Sequence, residues 1–183
     1  KIAILAVPSD VGAGYGRGAS FGPGALRQML MKEHAPMYQN KDIVDIGDVF
    51  VVPQLLHDDM LSAEQKSASR SEIYPDGQDD TLPVSSLSMA ELVLERLLDA
   101  HPHLKILLLG GDHSVAWPLS KVLGTRWGHK LGILHFDAHT DLMRERLGVR
   151  YCFATWAYHA NDLIGREQRL QQVGIRISRK PRE

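Results

Sequence analysis

The chain has 183 residues, 44% hydrophobic and 23% charged, which suits one globular unit that buries a core of its own. A formal net charge of −1 offers no basic excess for nucleic acid, and no apolar run approaches the roughly 18 residues of a membrane span. Cys152 is the single cysteine, so no internal disulfide can form, and a reducing cytoplasm is the expected setting.

Residues 2–7 form a short apolar run, the signature of a strand buried on both faces. A glycine-rich loop from Gly12 to Gly24 follows, and Pro23 then sits in the first turn of a predicted helix over about 23–33. A second strand is expected at 42–46, ending at Gly47. Residues 52–85 are polar and lack clear periodicity, so they read as an insertion or mobile loop. Ser88-Met89-Ala90-Glu91 has the spacing of a capping box, and Ala90, Val93, Leu94, Leu97 and Leu98 continue at helical spacing. A third strand at 105–109 breaks at Gly110-Gly111, and a helix over about 113–124 ends at Gly124. A fourth strand at 131–136, a helix near 154–165 and a fifth strand at 173–177 complete the pattern. Strands alternating with helices predict an α/β architecture around a parallel sheet. Lys1 stands directly inside a strand-like run, and the last residues follow another, so both ends read as cuts through a larger protein.

Ligands of parallel α/β sheets bind beyond the carboxyl ends of the strands. Two polar motifs fall there: Gly110-Gly111-Asp112-His113-Ser114 and Asp137-Ala138-His139-Thr140-Asp141. On an extended backbone, residues i, i+2 and i+4 share a face, which would converge Asp137, His139 and Asp141. Two carboxylates and an imidazole suit a divalent cation. With His113 added from a neighbouring strand end, the set suits half of a two-metal site, whose ions sit roughly 3.5–4 Å apart and share ligands. His135 reads as structural. The glycine loop fails as a nucleotide fingerprint, because Arg17 stands where Gly-x-Gly-x-x-Gly needs its third glycine, and it reads instead as close packing at the site rim.

Gly-Gly-Asp-His-Ser at 110–114 and Phe-Asp-Ala-His-Thr-Asp at 136–141 resemble the first two signature motifs of the ureohydrolases, the family of arginase, agmatinase and formimidoylglutamase. Gly22-Pro23-Gly24-Ala25-Leu26-Arg27 resembles that family's early helix start. The resemblance implies a three-layer α/β/α fold with a mostly parallel sheet, one arginase-like domain over 1–183 that is truncated at its C-terminus, and trimers or hexamers. It implies two Mn²⁺ ions and hydrolysis of a guanidino or formimino C–N bond by a metal-bridging hydroxide. On this pattern His113 binds one manganese, His139 the other, and Asp137 bridges both. Asp141 joins His113 on its ion and acts catalytically by orienting the nucleophile.

The chain also departs from the family pattern. The third motif, Asp-x-Asp, does not occur after residue 141, and two carboxylates balance little of the charge on two divalent ions. This chain by itself is therefore expected to bind at least one ion weakly and to catalyse poorly. Where arginases and agmatinases carry a His-Gly loop for proton transfer, Tyr151-Cys152-Phe153 stands instead. Cys152 reads as a small buried residue, and His159 is the nearest later imidazole. Arg179, Lys180 and Arg182 occupy a stretch that in the family leads to acidic substrate contacts. A competing reading is a catalytically inactive ureohydrolase-like subunit or binding module with a partial metal site. A zinc amidohydrolase of the deacetylase kind shares an Asp-x-His pair, but Gly-Gly-Asp-His-Ser argues against it.

Overall fold

The computed structural model describes residues 1–77 and 81–177. Five strands and six α-helices alternate: β1 (Ile2–Val7), α1 (Gly22–Glu33), α2 (Ala35–Gln39), β2 (Ile43–Asp48), α3 (Ala63–Ile73), α4 (Ser86–Ala100), β3 (Lys105–Gly110), α5 (Ala116–Trp127), β4 (Ile133–Phe136), α6 (Trp156–Leu163) and β5 (Leu170–Val173). The apolar run of β1 is central for the reason its composition suggests. It pairs in parallel with β2 on one edge and β3 on the other, and Ala3 to Val7 are all buried. Leu5 and Val7 pack into the larger core with Leu87, Leu94 and Leu98 of α4 and Val122 of α5, while Ile4 and Ala6 face Met37 of α2. Helices on both faces of a parallel sheet give the three-layer arrangement that the alternating pattern predicts.

Arg27 fastens α1 to β2. Its guanidinium meets the Asp45 carboxylate at 2.8 and 2.9 Å, reaches the Gly47 carbonyl at 2.9 Å and also contacts Asp48. The arginine of the Gly-Pro-x-x-Leu-Arg segment is thus a strut between layers.

β4 and β5 form a separate two-stranded parallel sheet. β3 and β4 are not hydrogen-bonded neighbours. A cleft of about 540 Å³ is lined by Leu108 and Gly110 of β3, Ile133 of β4, Leu119 and Ser120 of α5, and Trp156 of α6. His113 sits at its polar rim.

Several boundaries differ from the sequence reading. Within 52–85 the chain forms α3, capped by Ser62 and Gln65 in a true capping box. The Ser88–Glu91 capping box does not form, because α4 starts earlier, at Ser86. The backbone carbonyls of Leu55 and Leu56 accept the N–H groups of Ser86 and Leu87 at 3.0 Å each, so that helix end needs no side-chain box. Ser88 instead accepts a hydrogen bond from the Asp58 amide, and Glu91 turns to buried His57 at 3.1 Å and Lys121 at 2.7 Å. Gly124 does not end its helix. A Cβ there would lie 2.7 Å from Leu163 Cδ2, so the glycine lets α5 approach α6. The fifth strand lies at Leu170–Val173, three residues earlier than the apolar run suggests, since Gly174 turns the chain at φ +90°. Residues 178–183, with the basic stretch at Arg179, lie outside the described residues.

Candidate metal centre

His113 opens a short 3₁₀ turn directly after β3. Asp112 caps that turn, its Oδ1 accepting the Ser114 amide at 2.7 Å. The two glycines before it let the chain fold tightly: a Cβ on Gly111 would lie 2.0 Å from the Ser9 carbonyl oxygen, at the end of β1. Burial pushes the Asp112 carboxyl up, against the hydrogen bonds of the turn. Asp112 is thus a structural cap beside the site.

From the other sheet, residues 137–141 leave β4 through a bend at Ala138, with His139 in a single parallel bridge to Ile177, so the strict alternation of an extended strand is broken. The His139 amide bonds back to Asp137 Oδ1 at 2.9 Å, and Asp141 takes a left-handed conformation at φ 51°. With this backbone Asp141, only 6% exposed, offers its carboxylate beside that of Asp137. His113 Nδ1 lies 3.0 Å from Asp137 Oδ2 and 2.9 Å from Asp141 Oδ2. Both are hydrogen-bond distances from one imidazole nitrogen to two carboxylates, and the same three side chains would offer a divalent cation one nitrogen and two oxygens. Three of the four ligands expected from sequence are therefore brought together. His139 is not in that cluster. Its side chain is 61% exposed, with Nδ1 at 3.5 Å from the opposite Asp137 oxygen, Oδ1.

The fourth member of the cluster is His135, which alternation on β4 points inward. Its role follows from Gln172 on β5. The Gln172 side-chain nitrogen donates to the Thr140 carbonyl at 2.6 Å and lies 2.8 Å from His135 Nδ1. A carbonyl can only accept, so that nitrogen is a donor and His135 Nδ1 must accept from it. His135 Nε2 then carries the proton and donates to Asp137 Oδ2 at 3.3 Å. His135 positions a carboxylate and has no lone pair free for a cation, in keeping with its structural reading.

Trp156, at the start of α6, donates its indole N–H to Asp141 Oδ2 at 3.0 Å and packs its ring 4.9 Å from that of His113. Sequence reasoning placed Trp156 only within a helix; its proximity to a carboxylate fifteen residues earlier has no sequence signal. The electrostatics are mutual. Burial opposes charge on His113, but the two carboxylates outweigh it and raise its pKa. Burial also works against ionisation of Asp137, yet the His139 amide and the His113 charge hold its carboxyl below the usual range. For His135, burial and the neighbouring His113 charge lower the pKa, which keeps its ring neutral.

The rim follows its predicted packing role. A Cβ on Gly12 would lie 2.5 Å from Ser114 Oγ, and one on Gly14 would lie 2.9 Å from Phe153. Cys152 is buried, and its amide donates to Thr155. His159 does not reach the cluster; its Nε2 holds the backbone carbonyls of Arg144 and Arg150 at 3.0 and 3.1 Å.

A layered α/β fold with a carboxylate–imidazole cluster beyond its strand ends defines a class of metal-competent α/β scaffolds. The arginase family profile matches residues 1–183, and the chain belongs to that family. Agmatinase of Bacillus cereus is 30% identical over 186 residues, covering 98% of this chain and 53% of the relative. Among solved structures, arginase from Medicago truncatula superposes with a TM-score of 0.64 at 27% identity, over 96% of this chain and 50% of that one. Proclavaminate amidino hydrolase from Streptomyces clavuligerus shares the fold with a TM-score of 0.70 at 24% identity, over 97% and 52%. The chain spans about half the length of the curated relatives it matches.

Proposed function

We propose that the whole protein is a manganese-dependent hydrolase of a small guanidino or formimino substrate. The observation that carries this reading is the disposition of Asp137. Oδ2 faces His113 and Asp141, while Oδ1 faces His139. One carboxylate thus addresses two positions, as a ligand bridging two ions must. His113 and Asp141 would hold one cation and His139 would contribute to the other. Such ions supply Lewis acidity and acidify water near neutral pH. His135 and Trp156 fix the carboxylate oxygens in place. Asp141 Oδ1 has no hydrogen-bond partner among the described residues and is the atom to accept a proton from the attacking water. Water adds to the planar amidine carbon, the C–N bond breaks, and the proton passes to the leaving amine.

The two carboxylates here leave much of the charge of two divalent ions unbalanced, so the 183-residue chain alone holds at least one ion weakly and turns over poorly. A trimeric or hexameric assembly, a cytoplasmic setting and a single arginase-like unit over 1–183 belong to the same reading. Among the described residues, no helix is long and apolar enough to cross a membrane.

Metal analysis after manganese loading, with an assay panel of arginine, agmatine, 4-guanidinobutyrate and formiminoglutamate, tests the proposal. In the whole protein, retention of about two ions per chain and hydrolysis of one of these compounds, lost in Asp137→Ala, is the expected result. No retained ion sinks the reading. Retained metal without hydrolysis favours the inactive binding module.

A further inference from the structure

The excursion that carries α3, between His57 and Ser85, meets the rest of the molecule through few groups. Among the described residues, α3 buries no side chain. The contacts of Arg70 and Tyr74 stay inside the excursion: Arg70 donates to the Leu82 carbonyl at 3.0 Å, and the Tyr74 hydroxyl donates to the Pro83 carbonyl at 2.7 Å. Its entry is different. There His57 is 1% exposed, and its ring lies 3.1 Å from Glu91 of α4, which is 7% exposed. The second oxygen of Glu91 accepts from Lys121 of α5 at 2.7 Å. One imidazole thus joins the excursion to two core helices.

The proton on that imidazole can be placed. His57 Nδ1 lies 3.1 Å from the Asp59 backbone amide, and an amide N–H only donates, so Nδ1 accepts. Nε2 therefore carries the proton and donates it to Glu91 Oε1. The ring is neutral, and its Nδ1 lone pair caps the 3₁₀ turn Asp58–Met60. The charges facing it are Glu91 and Lys121, which pair with each other, and Asp59, whose Oδ2 lies 3.8 Å from Nδ1. Burial opposes charge on Lys121, but the Glu91 carboxylate beside it raises its pKa and keeps the ammonium in place. Tyr151 packs on the imidazole with ring centroids 4.4 Å apart.

A second proton has no place in this arrangement. It would sit on Nδ1 and point at the Asp59 N–H, donor against donor in a buried site. The nearest acceptor, the half-exposed Asp59 carboxylate, is beyond hydrogen-bond reach of Nδ1. It comes within reach only if the Asp59 amide turns away and the 3₁₀ turn gives up its cap.

We propose that His57 is an acid-released latch that holds the α3 excursion against α4 and α5. With the ring neutral, the turn is capped and the excursion is docked. When the ring takes up a second proton, Nδ1–H pairs with the Asp59 carboxylate, the Asp58 amide leaves Ser88, and the excursion comes off α4. The Leu55 and Leu56 carbonyls keep their bonds to the start of α4, so the release is local. The latch is independent of the hydrolase reading, and imidazole chemistry places its response between about pH 5 and pH 8.

Amide hydrogen exchange across residues 58–74 of the whole protein, corrected for the intrinsic pH dependence, tests the latch. The released form binds one more proton than the docked form, so opening rises as pH falls. With a free imidazole near about 6.5, opening at pH 5 should exceed that at pH 8 by about 30-fold, with the amides of α4 unchanged. In ¹⁵N-histidine-labelled protein the ring should be the Nε2–H tautomer at pH 8. His57→Gln keeps a neutral donor for Glu91 but does not titrate, and its exchange should be the same at both pH values. An Nδ1–H tautomer at pH 8, no gain in exchange at pH 5, or an equal acid response in His57→Gln overturns the latch. An equal gain throughout α4 and β1 also overturns it, because that is global unfolding.

Discussion

At the level of single residues, the site depends on groups that hold other groups. Gln172 fixes the His135 proton on Nε2, and that proton in turn fixes Asp137 Oδ2. Removing the amide frees the ring to take the other tautomer and leaves Asp137 less well oriented. Gln172→Leu is expected to weaken Mn²⁺ binding roughly 10-fold or more, measured by competition with a metal indicator, without changing the circular dichroism spectrum. That polar groups gather at 113, 137 and 141 was readable because carboxylates and imidazoles directly after apolar strands are rarely accidental. Their arrangement was not readable. Alternation predicted that His139 would share a face with Asp137 and Asp141, but the bend at Ala138 and the left-handed Asp141 decide otherwise. Backbone departures of this kind come from local side-chain bonds that compete with an extended strand.

Among the elements, those built on strong periodicity were found with small errors, and the errors share a cause. Where another part of the chain supplies hydrogen bonds, local signals mislead. Ser88 and Glu91 have capping-box spacing but serve Asp58, His57 and Lys121, because the carbonyls of Leu55 and Leu56 already satisfy the helix start. The fifth strand was misplaced because Gln171 and Gln172 are polar, although Gln172 must face inward to reach His135. Arg27 gives the clearest energetic test at this scale. Burial works against the Asp45 charge, but the Arg27 hydrogen bonds and charge outweigh it and hold the carboxyl below its ordinary 3.8. A lowered carboxyl pKa contributes stability above the unfolded value, and that contribution is lost as pH falls through the folded value. Arg27→Ala should therefore cost about 1–3 kcal/mol at pH 7, allowing for partial exposure. The difference from the parent should shrink below about pH 4. Urea melts of the two proteins at pH 7 and pH 3 measure both effects.

For the molecule as a whole, the parallel α/β class followed from the alternation of apolar runs and helical stretches, and the observed layers agree with it. The division into two sheets was invisible in the sequence. Strand neighbours depend on which edges meet in space, and nothing in 105–110 or 133–136 records that β3 and β4 leave a cleft between them. His113 nevertheless reaches across to Asp137 and Asp141, so the cluster ties the two sheets together through side chains where no ladder does.

The central position of β1 has a kinetic consequence. Ile2 pairs with Ile43 on one side and with Lys105 on the other, so the strand that delivers His113 docks only after a very long loop has closed. Closure of that kind is the slow, entropically opposed part of assembly. A cation bridging His113 and the 137–141 segment engages a geometry that exists only once that step is complete. Manganese should accordingly slow unfolding while leaving the refolding rate nearly unchanged. Stopped-flow denaturant jumps with and without the ion would show this as one shifted limb, and equal shifts in both limbs would place His113 and the 137–141 segment in the folding nucleus.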